Sequence, residues 1–224
     1  MNIIISFPNS GRTWLSAMLE DLRVDCWFAH MGSQHNGELT MNQIIKQMEL
    51  NPNKFDNDNI ILLHREPKDT LVSKHLHSIH RVGYSFSLAD FIRNPKQGLS
   101  KLIEFNLYWK KFNRCNKNIS ISYEELSGDT FLNLKKVCNY FGYEPTDDSI
   151  QNAIDNNTLK EMQYREVNGV GHKYYYKHTD KNNPESYKIR KGKVGGYTDY
   201  MTPEDVEYCD KVLTEYNYRE KMNE

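Results

Sequence analysis

NIIISFPNSGRTWLSAMLE, residues 2–20, is the stretch that decides the fold. The apolar run 3–5 reads as a buried strand, broken at Phe7-Pro8-Asn9-Ser10-Gly11. Trp14, Leu15, Met18 and Leu19 then recur at helical spacing. A strand, a tight polar loop and a helix form the layout that aims backbone N–H groups at an anion. Gly11 lets the backbone approach closely, Ser10 and Thr13 add hydroxyl donors, and Arg12 adds a permanent cation. The stretch therefore points to a bound phosphate or sulfate group. A nucleoside-triphosphate P-loop would need a second Gly and then Lys-Ser/Thr, with the Lys on the outer phosphates and the hydroxyl on Mg²⁺. Here there is one Gly, no Lys, and Thr13-Trp14 in that place. Trp14 has two readings at this point: a core aromatic on the first helix, or a ring stacked on a nucleobase.

Outward from this unit the chain alternates strands and helices. That order predicts an α/β fold with a central parallel sheet flanked by helices. Strands are expected over 2–7, 24–29, 60–64 and 119–123. Helices are expected over 12–22, 40–50, 67–80, 87–93, 99–114, 130–140, from 147 onward, and over 202–216. The run 60–64 is continuously apolar, as in a parallel strand covered on both faces. Pro67 suits a first helical turn, and Gly142 a helix end. Residues 163–199, with many Gly, Tyr, Lys, Asn and Pro, read as irregular. With no internal repeat and no dividing linker, the 224 residues predict a single domain, 1–224.

Composition narrows the partners. Lys and Arg number 29 against 30 Asp and Glu, for a net charge of −1, so there is no global attraction to nucleic acid or to a membrane surface. Any anion site must be a local cluster. Cys26, Cys115, Cys138 and Cys209 are far apart and form no C-x-x-C pair, so they read as free thiols rather than a zinc site or a disulfide framework. No apolar run approaches the ~20 residues of a membrane span, and the N-terminus lacks the charged region of a signal peptide. A cytoplasmic location is expected.

Two further segments carry chemistry. Residues 60–74, IILLHREPKDTLVSK, place Arg65 at the end of a strand and Ser73 two turns into the next helix. Ligands of open α/β sheets bind at the carboxyl ends of strands, so Arg65 can reach the mouth that holds the 8–14 loop. Its planar fork donates two bonds to a phosphate at once. Arg190-Lys191-Gly192 opens a Gly-rich stretch that runs to Gly196, and suits an arm closing on an anion. Each segment alone also reads as an exposed loop or helix face.

Together the segments resemble the three nucleotide-binding motifs of the sulfotransferases that use 3′-phosphoadenosine 5′-phosphosulfate (PAPS). Pro8-Asn9-Ser10-Gly11-Arg12-Thr13-Trp14 resembles that family's P-K-S-G-T-T-W loop. The stretch from Arg65 to Ser73 resembles R-N-P-K-D-x-x-x-S, and Arg190-Lys191-Gly192 the closing R-K-G. Tyr123-Glu124-Glu125-Leu126 is similar to Y-E-D-L after the central strand. Order and placement match from residue 3 to about 205.

The resemblance implies PAPS as donor and 3′,5′-adenosine bisphosphate (PAP) as product, with no metal. It implies that Ser10, Gly11, Arg12, Thr13 and Trp14 hold the 5′-phosphosulfate and that Trp14 stacks on adenine, near Tyr123 and Leu159. It implies Arg65, Ser73, Arg190, Lys191 and Gly192 around the 3′-phosphate. A His after the second strand acts as general base in the family, and His30 is the match, with His35 as rival. His64 reads as structural, and His75, His77 and His80 as surface or acceptor-side residues.

The sequence departs from the pattern at Asn9, where the family has the Lys that stabilises the leaving oxygen, and at Phe28, where many relatives have Lys. Arg12 is the candidate to supply the missing cation, so Asn9, Arg12 and His30 form the expected catalytic set. The expected acceptor is a hydroxyl, less readily an amine, of a small molecule or carbohydrate, bound by segments 31–58, 81–98 and 163–189. The last includes the Tyr-rich run 172–178. Oligomeric state stays open. The alternatives are a P-loop-type nucleotide or nucleoside kinase, and a non-catalytic protein that binds adenosine bisphosphate.

Overall fold

The computed structural model describes residues 1–31, 39–51, 53–170 and 180–224; His35 and the run 172–178 lie outside them. The elements run β1 (Asn2–Ser6), α1 (Arg12–Asp21), β2 (Trp27–Ala29), α2 (Met41–Glu49), β3 (Asn59–His64), α3 (Pro67–His77), α4 (Leu88–Arg93), α5 (Leu99–Lys110) and β4 (Lys117–Ser122). They continue with α6 (Tyr123–Gly128), α7 (Thr130–Tyr140), α8 (Asp147–Asn156), α9 (Leu159–Asn168), α10 (Pro203–Glu215) and α11 (Tyr218–Asn223). A π-helical turn, Ser78–Val82, prolongs α3, and 3₁₀ turns cover Pro184–Ser186 and Gly196–Asp199.

The four strands form one parallel sheet in the order β2-β1-β3-β4. Ile3 pairs with Ile60, Ile4 with Ile61 and Ile5 with Leu62. Because strand side chains alternate, these continuous apolar runs divide between two cores. Ile3, Ile5, Phe7, Ile60 and Leu62 face the layer built by α2, α3, α4, α5, α10 and α11. Ile4, Ile61 and Leu63 face α1, α7 and α8. Each fully buried Ile or Leu contributes about 1.5–3 kcal/mol relative to exposure. No described helix is long and apolar enough to cross a membrane.

The differences from expectation have local causes. Residues 24–26 stay outside β2 because they complete the exit from α1: Val24 N–H donates to Leu19 O, Arg23 adopts φ 56°, and Asp25 N–H donates to Tyr143 Oη. Helix α5 stops at Lys110 rather than 114, where Asn118 Nδ2 donates to Trp109 O and Phe112 O at 2.8 and 2.7 Å. Tyr123 is the first residue of a helix and not the last of a strand, because Ser122 and Glu125 form a capping box. Residues 163–168, expected as irregular, are helical within α9, which Thr158 caps through Glu161 N–H. Helix α11 was not expected; Asn106 Nδ2 donates to Tyr218 Oη at 2.8 Å and draws it onto α5. His75 is buried rather than superficial, 2.8 Å from Phe86 O through Nε2.

Candidate functional site

The carboxyl ends of β1, β2, β3 and β4 open onto one cleft of about 240 Å³. Its walls include Asn9, Gly11, Arg12, Thr13, Trp14, His30, Arg65, Ser73, Tyr123, Leu159, Arg190, Lys191 and Gly192. Segments far apart in the chain therefore converge as the sequence motifs predict. Ser10 is the exception: it is 1% exposed and does not line the cleft.

The turn from β1 into α1 depends on backbone conformation. Asn9 and Gly11 have φ of 70° and 96°, in the left-handed region. A Cβ on Gly11 would stand 2.4 Å from Tyr123 Cδ2, so only glycine lets the loop lie against that ring. No side chain among the described residues caps α1 and no acidic residue occupies its first turn, which leaves the positive end of the helix dipole facing the cleft. Trp14 is held by a 2.9 Å bond from Nε1 to Asn157 O and meets Tyr123 edge-on, with centroids 5.8 Å apart. It joins the edge of the core and also lines the cleft.

Arg65 leaves β3 with its guanidinium 4.5 Å from the centroid of the Tyr123 ring. Nη2 donates to Lys193 O at 2.9 Å and lies 3.5 Å from Asp69 Oδ2. Its Nε is buried and has no hydrogen-bond partner among the described residues, as few buried donors do. Asp69 accepts from the N–H groups of Gly195 and Tyr197, both at 2.8 Å, and so docks the Gly-rich stretch on α3. Tyr123 Oη donates to Gly192 O at 3.0 Å. Burial raises the Tyr123 pKa above its ordinary value, so the hydroxyl keeps its proton.

The basic pair has partners of its own. Arg190 and Lys191 line the cleft, yet their charges are already met. Arg190 Nη1 bonds Tyr200 Oη at 2.5 Å and Glu185 at 3.2 Å, and Lys191 Nζ lies 3.7 and 3.5 Å from Glu185 and Asp199. An entering anion competes with two carboxylates for them.

His30 stands at the end of β2 with Nδ1 2.8 Å from Ser6 O. A carbonyl only accepts, so Nδ1 carries the proton and the lone pair of the neutral ring is on Nε2. Phe28 packs with the core around α1 and does not line the cleft. His64, at the end of β3, has its pKa lowered to about 4, chiefly by burial.

Sequence reasoning did not single out Asp69, Ser127, Met162, Lys188, Ile189 or Lys193, all of which line the cleft. Helix α9 explains part of this. Its Gln163 donates to Arg190 O at 2.5 Å, and Glu166 accepts from Lys188 N–H at 2.5 Å and Ile189 N–H at 2.9 Å. Glu166 is 0% exposed and pairs with Arg81 of the π-helical turn at 3.3 Å. The helix splints the segment that leads into Arg190, and the capping signal Thr158-x-x-Glu161 was the available clue to it.

The chain has relatives among known proteins. The chain is 23% identical to the 3-beta-hydroxysteroid sulfotransferase of Cavia porcellus over 98% of its own length and 83% of the relative's. It is 25% identical to sulfotransferase 2A1 of Homo sapiens, over 95% and 82%. Its fold superposes on the crystal structure of mouse sulfotransferase SULT7A1 complexed with PAP at a TM-score of 0.69, with 20% identity, 96% of this chain and 82% of that one. The family model for the sulfotransferase domain matches residues 2–224, and on that match the chain belongs to the sulfotransferase family.

Proposed function

We propose that this protein transfers a sulfuryl group from PAPS to a hydroxyl, less readily an amine, of a small-molecule or carbohydrate acceptor. The observation that carries the choice of donor is Arg65. Its buried Nε, unpartnered among the described residues, in a cleft shared with Ser73 and Gly192, fits a 3′-phosphate, the group that distinguishes PAPS from ATP. The Gly11 turn and the open end of α1 fit the 5′-phosphosulfate. Trp14, Tyr123 and Leu159 fit the adenine. The names of the relatives, one a hydroxysteroid sulfotransferase, support a small hydroxyl acceptor.

In this reading the acceptor oxygen attacks sulfur in line with the bond to the 5′-phosphate. The S–O bond breaks, its electron pair stays on the phosphate oxygen, and PAP leaves. The acceptor proton passes to His30 Nε2, which the Ser6 carbonyl keeps in the accepting tautomer. Positioning and charge stabilisation supply most of the rate. Arg12 supplies positive charge at the loop in place of the Lys that Asn9 replaces.

The test is PAP formation from PAPS across a panel of phenols, sterols and sugars, with Mg²⁺-ATP as control donor. His30→Ala and Arg12→Ala are expected to abolish transfer, and Asn9→Ala to spare most of it. ATP turnover without PAPS turnover would favour a kinase. Tight PAP binding with no transfer to any acceptor would favour a non-catalytic binder. Intact turnover in Arg12→Ala, with loss in Asn9→Ala, would overturn the role given to Arg12.

A further inference from the structure

The β1–α1 loop carries Asn9 where the resemblance implies Lys, and the structure brings a cation to the cleft from a distant segment. Lys188 lines the cleft two residues before Arg190. Its backbone is fixed: Lys188 N–H and Ile189 N–H both end on the buried carboxylate of Glu166. Arg190, Lys191 and Lys193 have their charges met by Glu185 and Asp199, whereas the Lys188 ammonium takes no carboxylate partner among the described residues. The charges that act on it come from three elements: Arg12 at the start of α1, Arg81 in the π-helical turn and Glu166 in α9. Arg12 is the first residue of α1, so Lys188 stands near the helix N-terminus that faces the phosphosulfate in the reading above. Burial and the two arginines lower its pKa to about 8, against the opposing pull of Glu166, so the ammonium form dominates at pH 7.

We propose that Lys188 is a catalytic residue whose ammonium reaches across the cleft to the phosphosulfate. There it takes the part of the missing loop Lys, beside Arg12. As the S–O bond breaks, the electron pair left on the 5′-phosphate oxygen is stabilised by this ammonium, which keeps its proton. The acceptor proton goes to His30. The inference rests on the donor-site reading. It adds that the reacting centre is complete only while Glu166 holds the 188–189 segment against α9.

The experiment measures PAP formation from PAPS, with water and with 4-nitrophenol as acceptor, and calorimetric affinity for PAP and 5′-AMP. The proteins are wild type, Lys188→Met, Lys188→Arg and the Asn9→Lys/Lys188→Met double variant. Lys188→Met is expected to lose about 100-fold in kcat/KM, the scale of removing one preorganised donor, and less than about tenfold in PAP affinity. Adding Asn9→Lys is expected to recover at least about tenfold of that loss. The alkaline limb of wild-type kcat/KM, near pH 8, is expected to move upward in Lys188→Arg, because guanidinium stays charged. Unchanged turnover in Lys188→Met overturns the proposal. So does an equal loss of turnover and PAP affinity, a double variant that recovers nothing, or an alkaline limb that Lys188→Arg leaves in place. A wild type that forms no PAP, or that binds PAP no better than 5′-AMP, overturns the donor-site reading instead.

Discussion

The hydroxyl of Tyr123 donates to the carbonyl of Gly192 at 3.0 Å, across 69 residues of chain. The same ring meets Trp14 edge-on, lies under the Arg65 guanidinium and would be struck by any Cβ on Gly11. One side chain at the end of β4 therefore touches all three sequence motifs that line the cleft and sets their spacing.

Removing that hydroxyl is expected to loosen the closing segment without unfolding the protein. One hydrogen bond is worth about 1 kcal/mol, so Tyr123→Phe should weaken PAP binding about fivefold by calorimetry. Tyr123→Ala, which also deletes the ring under Arg65, should weaken it further. Equal affinities in wild type and both variants would remove Tyr123 from the site.

Gly11→Ala places a methyl group 2.4 Å from the Tyr123 ring at a φ of 96° that disfavours any side chain. The loop must then move off the ring. Left-handed strain alone costs on the order of 1–3 kcal/mol. The expected result is a lower melting temperature together with loss of PAP binding. Gly83→Ala, also at positive φ but with no atom of the described residues within 4 Å of the added Cβ, is expected to lower stability and leave PAP affinity alone.

Glu166 is buried against Arg81, and removing one partner of a buried ion pair typically costs about 3–5 kcal/mol. Glu166→Ala is expected to show a loss of that order in urea unfolding. The double variant Arg81→Met/Glu166→Met should recover the part of that loss due to the unpaired Arg81 charge and none of the PAP affinity, because the N–H groups of Lys188 and Ile189 still lack their acceptor. A double variant that binds PAP like wild type would contradict the splinting role of α9.

His64 gives the protein an acid limit. Its folded pKa lies near 4 because burial disfavours the imidazolium, against an ordinary value near 6.5. The unfolded chain therefore binds a proton between these values that the folded one refuses. Stability falls as pH drops from 6.5 to 4, by up to about 3 kcal/mol from this group. His64→Gln should flatten that part of the pH–stability curve.

Much of this architecture is legible in the sequence because it is local. The apolar runs 3–5 and 60–63, the single Gly of the first loop and Pro67 at the start of α3 each act within a few residues. Arg65 falls on the cleft because parallel strands must all open at the same edge, and Ser73 follows two turns along α3. What is not legible depends on distant partners. Residues 24–26 miss the sheet because Leu19 and Tyr143 take their N–H groups. Lys188 reaches the cleft because Glu166, 22 residues earlier, fixes its backbone. The pairing of Arg190 and Lys191 with Glu185 and Asp199 is set by the fold of the closing segment and by no motif.

The central claim is a pocket for a 3′-phosphate around Arg65. Calorimetry with PAP, 5′-AMP and ATP, on wild type and Arg65→Ala, tests it most directly. The account predicts strong preference for PAP in wild type and its loss in Arg65→Ala, with 5′-AMP affinity little changed. Equal affinity of wild type for PAP and 5′-AMP would contradict it.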